Sequence, residues 1–189
     1  MNKSINNQTI ELWQAFVDGE KAAFSKLYKI LYRKLYTYGI NTGMTNECVE
    51  DTIQELFIKL YINPKQITTP STLLPFLLTS LRNSFLNIEK SSKRNIRIDD
   101  IESFRFDFLV ENNPFEEKEE QELLKKQIAR ILESLTSRQR EIIYLKFLMQ
   151  MSYEEISSIM QLTEQAARNL THRAIEKIRK NNPYFFLFL

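Results

Sequence analysis

The sequence predicts an all-α protein, two small helical domains joined by a linker, and three observations carry that prediction. Apolar residues recur at three- and four-residue spacing in one segment after another. Ser/Thr-x-x-Glu/Gln patterns, the mark of a capped helix start, precede two of these segments. Turn formers are scarce: three Gly and five Pro in 189 residues are too few for a turn-rich sheet protein, while Leu, Ile, Lys, Glu and Gln suit helices. A hydrophobic share of 43% supplies a packed core and argues against wholesale disorder.

The elements follow in order. Thr9 to Val17 reads as a short helix stopped near Gly19. Glu20 to Tyr38 carries Phe24, Leu27, Tyr28, Leu31, Leu35 and Tyr38 at helical spacing, with Gly39 able to supply a left-handed stop. Thr45 to Ile62 is a third helix, capped by Thr45 or Asn46 and ended before Pro64. Residues 63–71 hold two prolines and read as a loop. A fourth helix runs from about Thr72 to Lys90, with Pro75 tolerated in its first turn.

From Ser91 to Asn113 no period is sustained. Phe104, Phe106 and Phe108 alternate as in a strand, but no second strand candidate lies nearby, so the segment reads as a linker whose aromatics dock. Asn113 as cap, Pro114 at the first position and Glu116 three residues on open another helix, to about Glu133. The expected division is therefore residues 1–95, a linker over 96–113, and residues 114–189.

The last third is the most informative. Thr136 with Gln139 and Ser152 with Glu155 form capping-box patterns, for helices ending near Leu148 and Met160. Thr163 caps a longer helix ending near Lys180. The short middle helix is expected to bury Tyr153, Ile156 and Ile159. The long one sets Ala167, Ala174 and Ile178 on one face, flanked by Leu170 and Ile175. Its opposite face carries Gln165, Arg168, Asn169, His172 and Arg173, with Lys177, Arg179 and Lys180 placed for phosphates. Gln and Asn can bond adenine edges, and Arg can bond guanine or phosphate. Two capped helices, short turns and a basic final face are the layout of a helix-turn-helix. A polar outer face alone would fit any three-helix bundle.

Net charge is only +2, but its distribution is uneven. Residues 80–98 carry five Lys/Arg against one acid, residues 164–180 carry five against two, and residues 111–122 between them hold six Glu and one Lys. An acidic block separating two basic ones would hide a DNA binder inside a neutral average.

Leu135, Arg140, the SYEEIS run (Ser152 to Ser157) and the HRA run (His172 to Ala174) followed by Ile178-Arg179 resemble region 4 of the extracytoplasmic-function sigma factors. That family carries Gly in the turn where this chain has Gln161, and an apolar residue where it has Thr171. The N-terminal half resembles region 2 of the same family. The stretch from Asp51 to Leu60, DTIQELFIKL, looks like its DLVQEVFLRLW segment. At 100° per residue, Asp51, Gln54, Glu55, Ile58 and Ile62 share one stripe. Val49, Ile53, Leu56 and Leu60 share the other, with Phe57 beside them. The segment from Pro75 to Arg94 resembles the family's following basic helix. Arg82-Asn83 match, Asn87 replaces the usual acid, and the basic cluster Lys90, Lys93 and Arg94 is thinner.

The resemblance implies a factor that docks on core RNA polymerase and directs initiation at promoter DNA. The polymerase would bind through Asp51, Gln54, Glu55 and Ile58. The upstream (−35) element would be read by Gln165, Arg168, Asn169, His172, Arg173 and Lys177, and the downstream (−10) element engaged by Arg82, Asn83, Asn87, Lys90, Lys93 and Arg94. It also implies an anti-sigma partner. Phe76 and Phe85, the aromatics near the downstream segment, read as core.

Other classes are less well supplied. One His and one Cys fall in different predicted domains, and no phosphate-binding loop, GxSxG or HExxH appears. Glu116 to Glu120 has ExxE spacing that could hold Mg²⁺ in a nucleotide hydrolase, but an acidic first helical turn also has that composition. A dimeric helix-turn-helix regulator acting without polymerase would leave the Asp51 stripe unexplained. We expect no enzyme activity, no cofactor and no metal. A lone Cys48, no secretory leader and no membrane-length apolar run point to the cytoplasm. The apolar end, PYFFLFL, is expected to dock on the protein or a partner.

Overall fold

The computed structural model describes residues 2–64, 67, 70–92, 104–105 and 128–181, and every regular element among them is helical. Helix α1 spans Asn2–Val17, α2 Lys21–Thr42, α3 Asn46–Ile62 and α4 Leu73–Ser92, the last entered through a 3₁₀ turn at Pro70–Thr72. Residues 128–133 form α5. Helix α6 spans Ser137–Ile143 and continues as a π-helical turn over Tyr144–Leu148; α7 is Tyr153–Met160 and α8 Glu164–Asn181. Lys93, Arg94, Phe106, Phe108, the Asn113-Pro114 helix start, the Glu116–Glu120 carboxylates and the PYFFLFL end lie outside the described residues.

The predicted caps form. Thr136 Oγ1 accepts from the Gln139 amide at 3.3 Å while the Thr136 amide donates to Gln139 Oε1 at 3.0 Å. Ser152 and Glu155 exchange the same pair of bonds at 3.1 and 2.7 Å. Single caps start α3, where Thr45 Oγ1 accepts from the Cys48 amide, and α8, where Thr163 Oγ1 accepts from the Ala166 amide. Each such cap satisfies a backbone donor that the helix itself leaves open.

Two expectations at helix ends need correction. The first helix begins at Asn2 rather than Thr9. Gly39 does not stop α2: the helix runs through it, and Gly43 takes the left-handed position (φ 98°). What holds Gly39 is space, since a Cβ there would meet the Val49 side chain at 2.7 Å. The missing side chain lets α3 lie directly on the α2 backbone.

One continuous core runs through both halves of the chain. It joins Trp13 of α1, Leu27, Leu31 and Leu35 of α2, Ile53 and Leu60 of α3, and Leu77, Leu78 and Leu81 of α4 to Ile142, Leu145, Ile156 and Ile159 beyond the linker. Burying each large aliphatic side chain is worth about 1.5–3 kcal/mol. Helix α4 packs against α7, so the fourth helix belongs to both halves. A smaller core of Ile131, Leu132, Leu135, Ile143, Ala174 and Ile178 sits beneath α8.

Phe104 is buried between the halves. Its ring is buried 6.1 Å from Tyr38 and 5.6 Å from Tyr144, centroid to centroid. Its amide donates to Ser137 Oγ at 2.8 Å, and its carbonyl accepts from Arg140 Nε at 2.7 Å. The aromatic does dock, as its sequence suggests. Arg140 thereby ties Phe104 to the turn before α6, since its Nη1 also donates to the Leu135 carbonyl at 2.9 Å.

The tyrosines around Phe104 give this junction a pH dependence. Burial pushes the Tyr144 hydroxyl up to about 12. Burial first, then the Glu141 carboxylate, holds Tyr38 well above its ordinary value of 10. In the unfolded chain both ionise near 10, so the stability they represent is intact below pH 10 and is lost as pH rises through the folded values. Between pH 9 and pH 11, Tyr144 alone should remove about 1 kcal/mol, because the unfolded chain releases a proton there that the folded chain retains. Urea unfolding of the wild type and Tyr144→Phe checks this. The variant should lose less stability over that interval, and equal losses would contradict the assignment.

Candidate nucleic-acid interface

Helix α8 turns its polar face outward as a unit. Gln165, Arg168, Asn169, His172, Arg173 and Lys177 are all exposed, while Ala167, Thr171, Ala174 and Ile178 are buried on the opposite side. The face is ordered by contacts within the helix. Gln165 Nε2 donates to Asn169 Oδ1 at 3.0 Å, Arg173 Nε donates to the Asn169 carbonyl at 3.4 Å, and His172 Nδ1 lies 3.5 Å from Glu176 Oε2. Arg168 pairs with Glu164 at 3.4 Å, both half-exposed. Such an exposed pair contributes little to stability and is readily exchanged for a phosphate or a base.

Tyr153 departs from the position its spacing predicts. Periodicity places it in the core of α7, where Ile156 and Ile159 are indeed buried, but its ring is only half-buried. Arg168 Cζ and Lys146 Nζ each lie 4.4 Å from its centroid. A guanidinium held on an aromatic ring gives up less side-chain freedom when it meets a ligand.

The two departures from the family pattern are both accommodated. Gln161 takes the left-handed cap (φ 54°) after α7, a position that favours Gly. Thr171 is buried, and its Oγ1 donates to the Ala167 carbonyl at 3.0 Å, so the hydroxyl is satisfied in the core.

The α4 residues divide. Asn87 and Lys90 are exposed. Asn83 is half-buried, its Oδ1 accepting from Gln161 Nε2 at 2.8 Å. Arg82, expected on a DNA-facing surface, is instead buried, with Nε donating to Glu141 Oε1 at 2.8 Å. Tyr38 Oη donates to the same oxygen at 2.6 Å. Burial depresses the Arg82 guanidinium and the Glu141 carboxylate more than restores it, leaving it above its ordinary value. Phe85 is core, and Phe76 half-buried beside a cleft between α4 and α7.

On α3 the two stripes separate as expected. Val49, Ile53, Leu56, Phe57 and Leu60 are buried, and Asp51, Gln54, Glu55 and Ile58 exposed. Beside them a groove of about 580 Å³ is lined by Phe24, Tyr28, Gln54, Phe57, Ile58, Tyr61 and Ile62. Ile58 is 50% exposed, Tyr61 45% and Ile62 76%. Three large apolar side chains are thus exposed together within one turn and a half of helix. The groove's far wall, from α2, is not visible in the α3 pattern alone.

Two capped helices at a tight turn, with a basic exposed face on the second, define a helix-turn-helix DNA-binding protein. Comparison with known proteins narrows the class. Residues 125–178 match the family model described as Sigma-70, region 4. The chain is 24% identical over 155 residues to the ECF RNA polymerase sigma factor SigM of Bacillus subtilis (strain 168), covering 82% of this chain and 91% of that protein. Its fold is shared by CnrH in complex with the cytosolic domain of CnrY, with a TM-score of 0.57, 18% identity and coverage of 94% of this chain and 99% of that one. It is shared also by the sigma factor RpoE in complex with the anti-sigma factor NepR from Bartonella quintana, with a TM-score of 0.57, 20% identity and coverage of 83% and 94%. Over most of its length the chain is therefore similar to extracytoplasmic-function sigma factors, and its residues 125–178 match region 4 of the sigma-70 family.

Proposed function

We propose that this protein binds core RNA polymerase and directs it to promoters, acting in the cytoplasm and performing no chemistry of its own. The observation that carries this reading is the exposed polar face of α8, with Arg168 seated on Tyr153, inside the segment that matches sigma region 4. In this reading the chain divides into a polymerase-docking and downstream-reading part over residues 1–95, a linker over 96–113 and an upstream-reading part over 114–189. Gln165, Arg168, Asn169 and His172 meet base edges, and Arg173 and Lys177 meet phosphates. Asp51, Gln54, Glu55 and Ile58 border the polymerase seat. Asn83, Asn87, Lys90, Lys93 and Arg94 serve the downstream element, joined by Arg82 once it is released from Glu141. An anti-sigma factor is the expected negative regulator, as the two solved relatives are each bound to a partner of their own.

Arg168→Ala should weaken upstream-element binding by about 1–3 kcal/mol and relax specificity at one base pair. Lys177→Ala should weaken all sequences alike and reduce the salt dependence. Footprinting of the polymerase complex separates the two. An upstream footprint unchanged by Arg168→Ala would remove that residue from the interface.

A further inference from the structure

We propose that the apolar run PYFFLFL, residues 183–189, seats on the exposed apolar surface of the π-helical turn, around Phe147, and covers the margin of the small core beneath α8. Phe147 is 52% exposed and Leu148 44%. These two side chains are not scattered surface residues. Phe147 follows Ile143 by four positions, close to one full turn, so it continues the face on which Ile143 is buried in the small core with Ala174 and Ile178. Ile128 and Ile175 pack against the same core and are themselves only partly buried. The small core therefore has an apolar margin that further apolar chain can extend.

The sequence supplies a cover of matching chemistry within reach. Helix α8 leaves the small core after Ile178 and ends at Asn181. From there to Phe147 is about 20 Å, given a rise of about 1.5 Å per residue along each helix and about 8–10 Å between packed helices. Eight residues follow Asn181. A chain of that length spans up to about 26 Å. Residues 183–189 carry no charge and hold Tyr184, Phe185, Phe186, Leu187, Phe188 and Leu189 after one proline. The exposed side of the last turns of α8, with Lys177, Arg179 and Lys180, offers such a run no apolar surface. The Phe147 margin does, and both gain by leaving water together. Phe147 continues the face that packs toward α8, so the run seated there leaves the outward polar face of α8 open. While seated, it denies Phe147 and Leu148 to any other partner.

Photo-crosslinking of the whole 189-residue chain tests the seat. Phe147 is replaced by p-benzoylphenylalanine, which keeps an aromatic ring at an exposed position. Irradiation should join that residue to residues 183–189 of the same chain, read by mass spectrometry on the band that migrates as a monomer. Cross-links that fall elsewhere in the chain, or none at all, would overturn the proposal. So would a cross-linked band of twice the mass, in which the run sits on a second copy. Thermal melting gives an independent reading. Ending the chain at Asn182 should lower the melting temperature by about 2–4 °C. Phe147→Ser should then cost less in the shortened chain than in the whole one, because the partner it loses is already gone. Equal costs in the two backgrounds would contradict the seat. Neither polymerase nor DNA takes part in these measurements, so their failure leaves the sigma-factor reading standing.

Discussion

Ile58→Glu should lower the affinity for core RNA polymerase by more than about 100-fold while leaving the fold intact. Ile58 stands at the edge of the α2–α3 groove with half its surface exposed, and Tyr61 and Ile62 extend the apolar patch. A docked partner would bury that side chain, gaining up to about 2 kcal/mol of apolar transfer. A carboxylate in its place reverses the sign, since burying an unpaired charge costs several kcal/mol. Glu55, one turn earlier on the same stripe, adds a second carboxylate there and already engages Lys59 at 3.1 Å. In the free protein the new carboxylate remains in water, so stability should change by no more than about 0.5 kcal/mol. Fluorescence anisotropy against purified core enzyme, with a parallel thermal melt, reads both. Unchanged affinity would move the polymerase seat off this groove. A collapsed melting transition would mean that Ile58 serves the core.

Phe104→Ala should cost about 3–5 kcal/mol, the range for deleting a buried aromatic. The residue is 2% exposed and lies between Tyr38 and Tyr144, so truncation opens a cavity bounded by both halves of the chain. The loss is a large share of the stability of an ordinary domain. Its backbone bonds to Ser137 and Arg140 also depend on the ring staying in place. Urea unfolding measures the cost; a loss below about 1 kcal/mol would show that the linker merely passes over the junction.

The helices are legible in the sequence because periodicity and caps are local signals. The Thr136 and Ser152 capping boxes and the two stripes of α3 follow directly from residue spacing. The α8 face is legible for the same reason. Gly39 misleads because a helical glycine and a terminal one look alike in sequence; only the position of Val49 shows why the side chain is missing. The π-helical turn at Tyr144–Leu148, which carries the exposed Phe147 and Leu148, has no sequence mark that we can name. Arg82 looks like a surface cation, because nothing within α4 announces a carboxylate 59 positions away. Tyr153 looks like core because its spacing from Ile156 is apolar, whereas its cation partners come from α8 and from the π turn. What escapes the sequence is long-range pairing, and the functional inferences drawn from Arg82 and Tyr153 depend on it.

If this chain gives RNA polymerase its promoter choice, run-off transcription with purified core polymerase on a library of genomic fragments from the source organism shows it most directly. Initiation is predicted at a discrete set of sites only when this protein is added. Those sites should share an upstream and a downstream element, and the Ile58→Glu protein should lose that initiation. Transcription no different from that of core enzyme alone, with no complex formed between them, would contradict it.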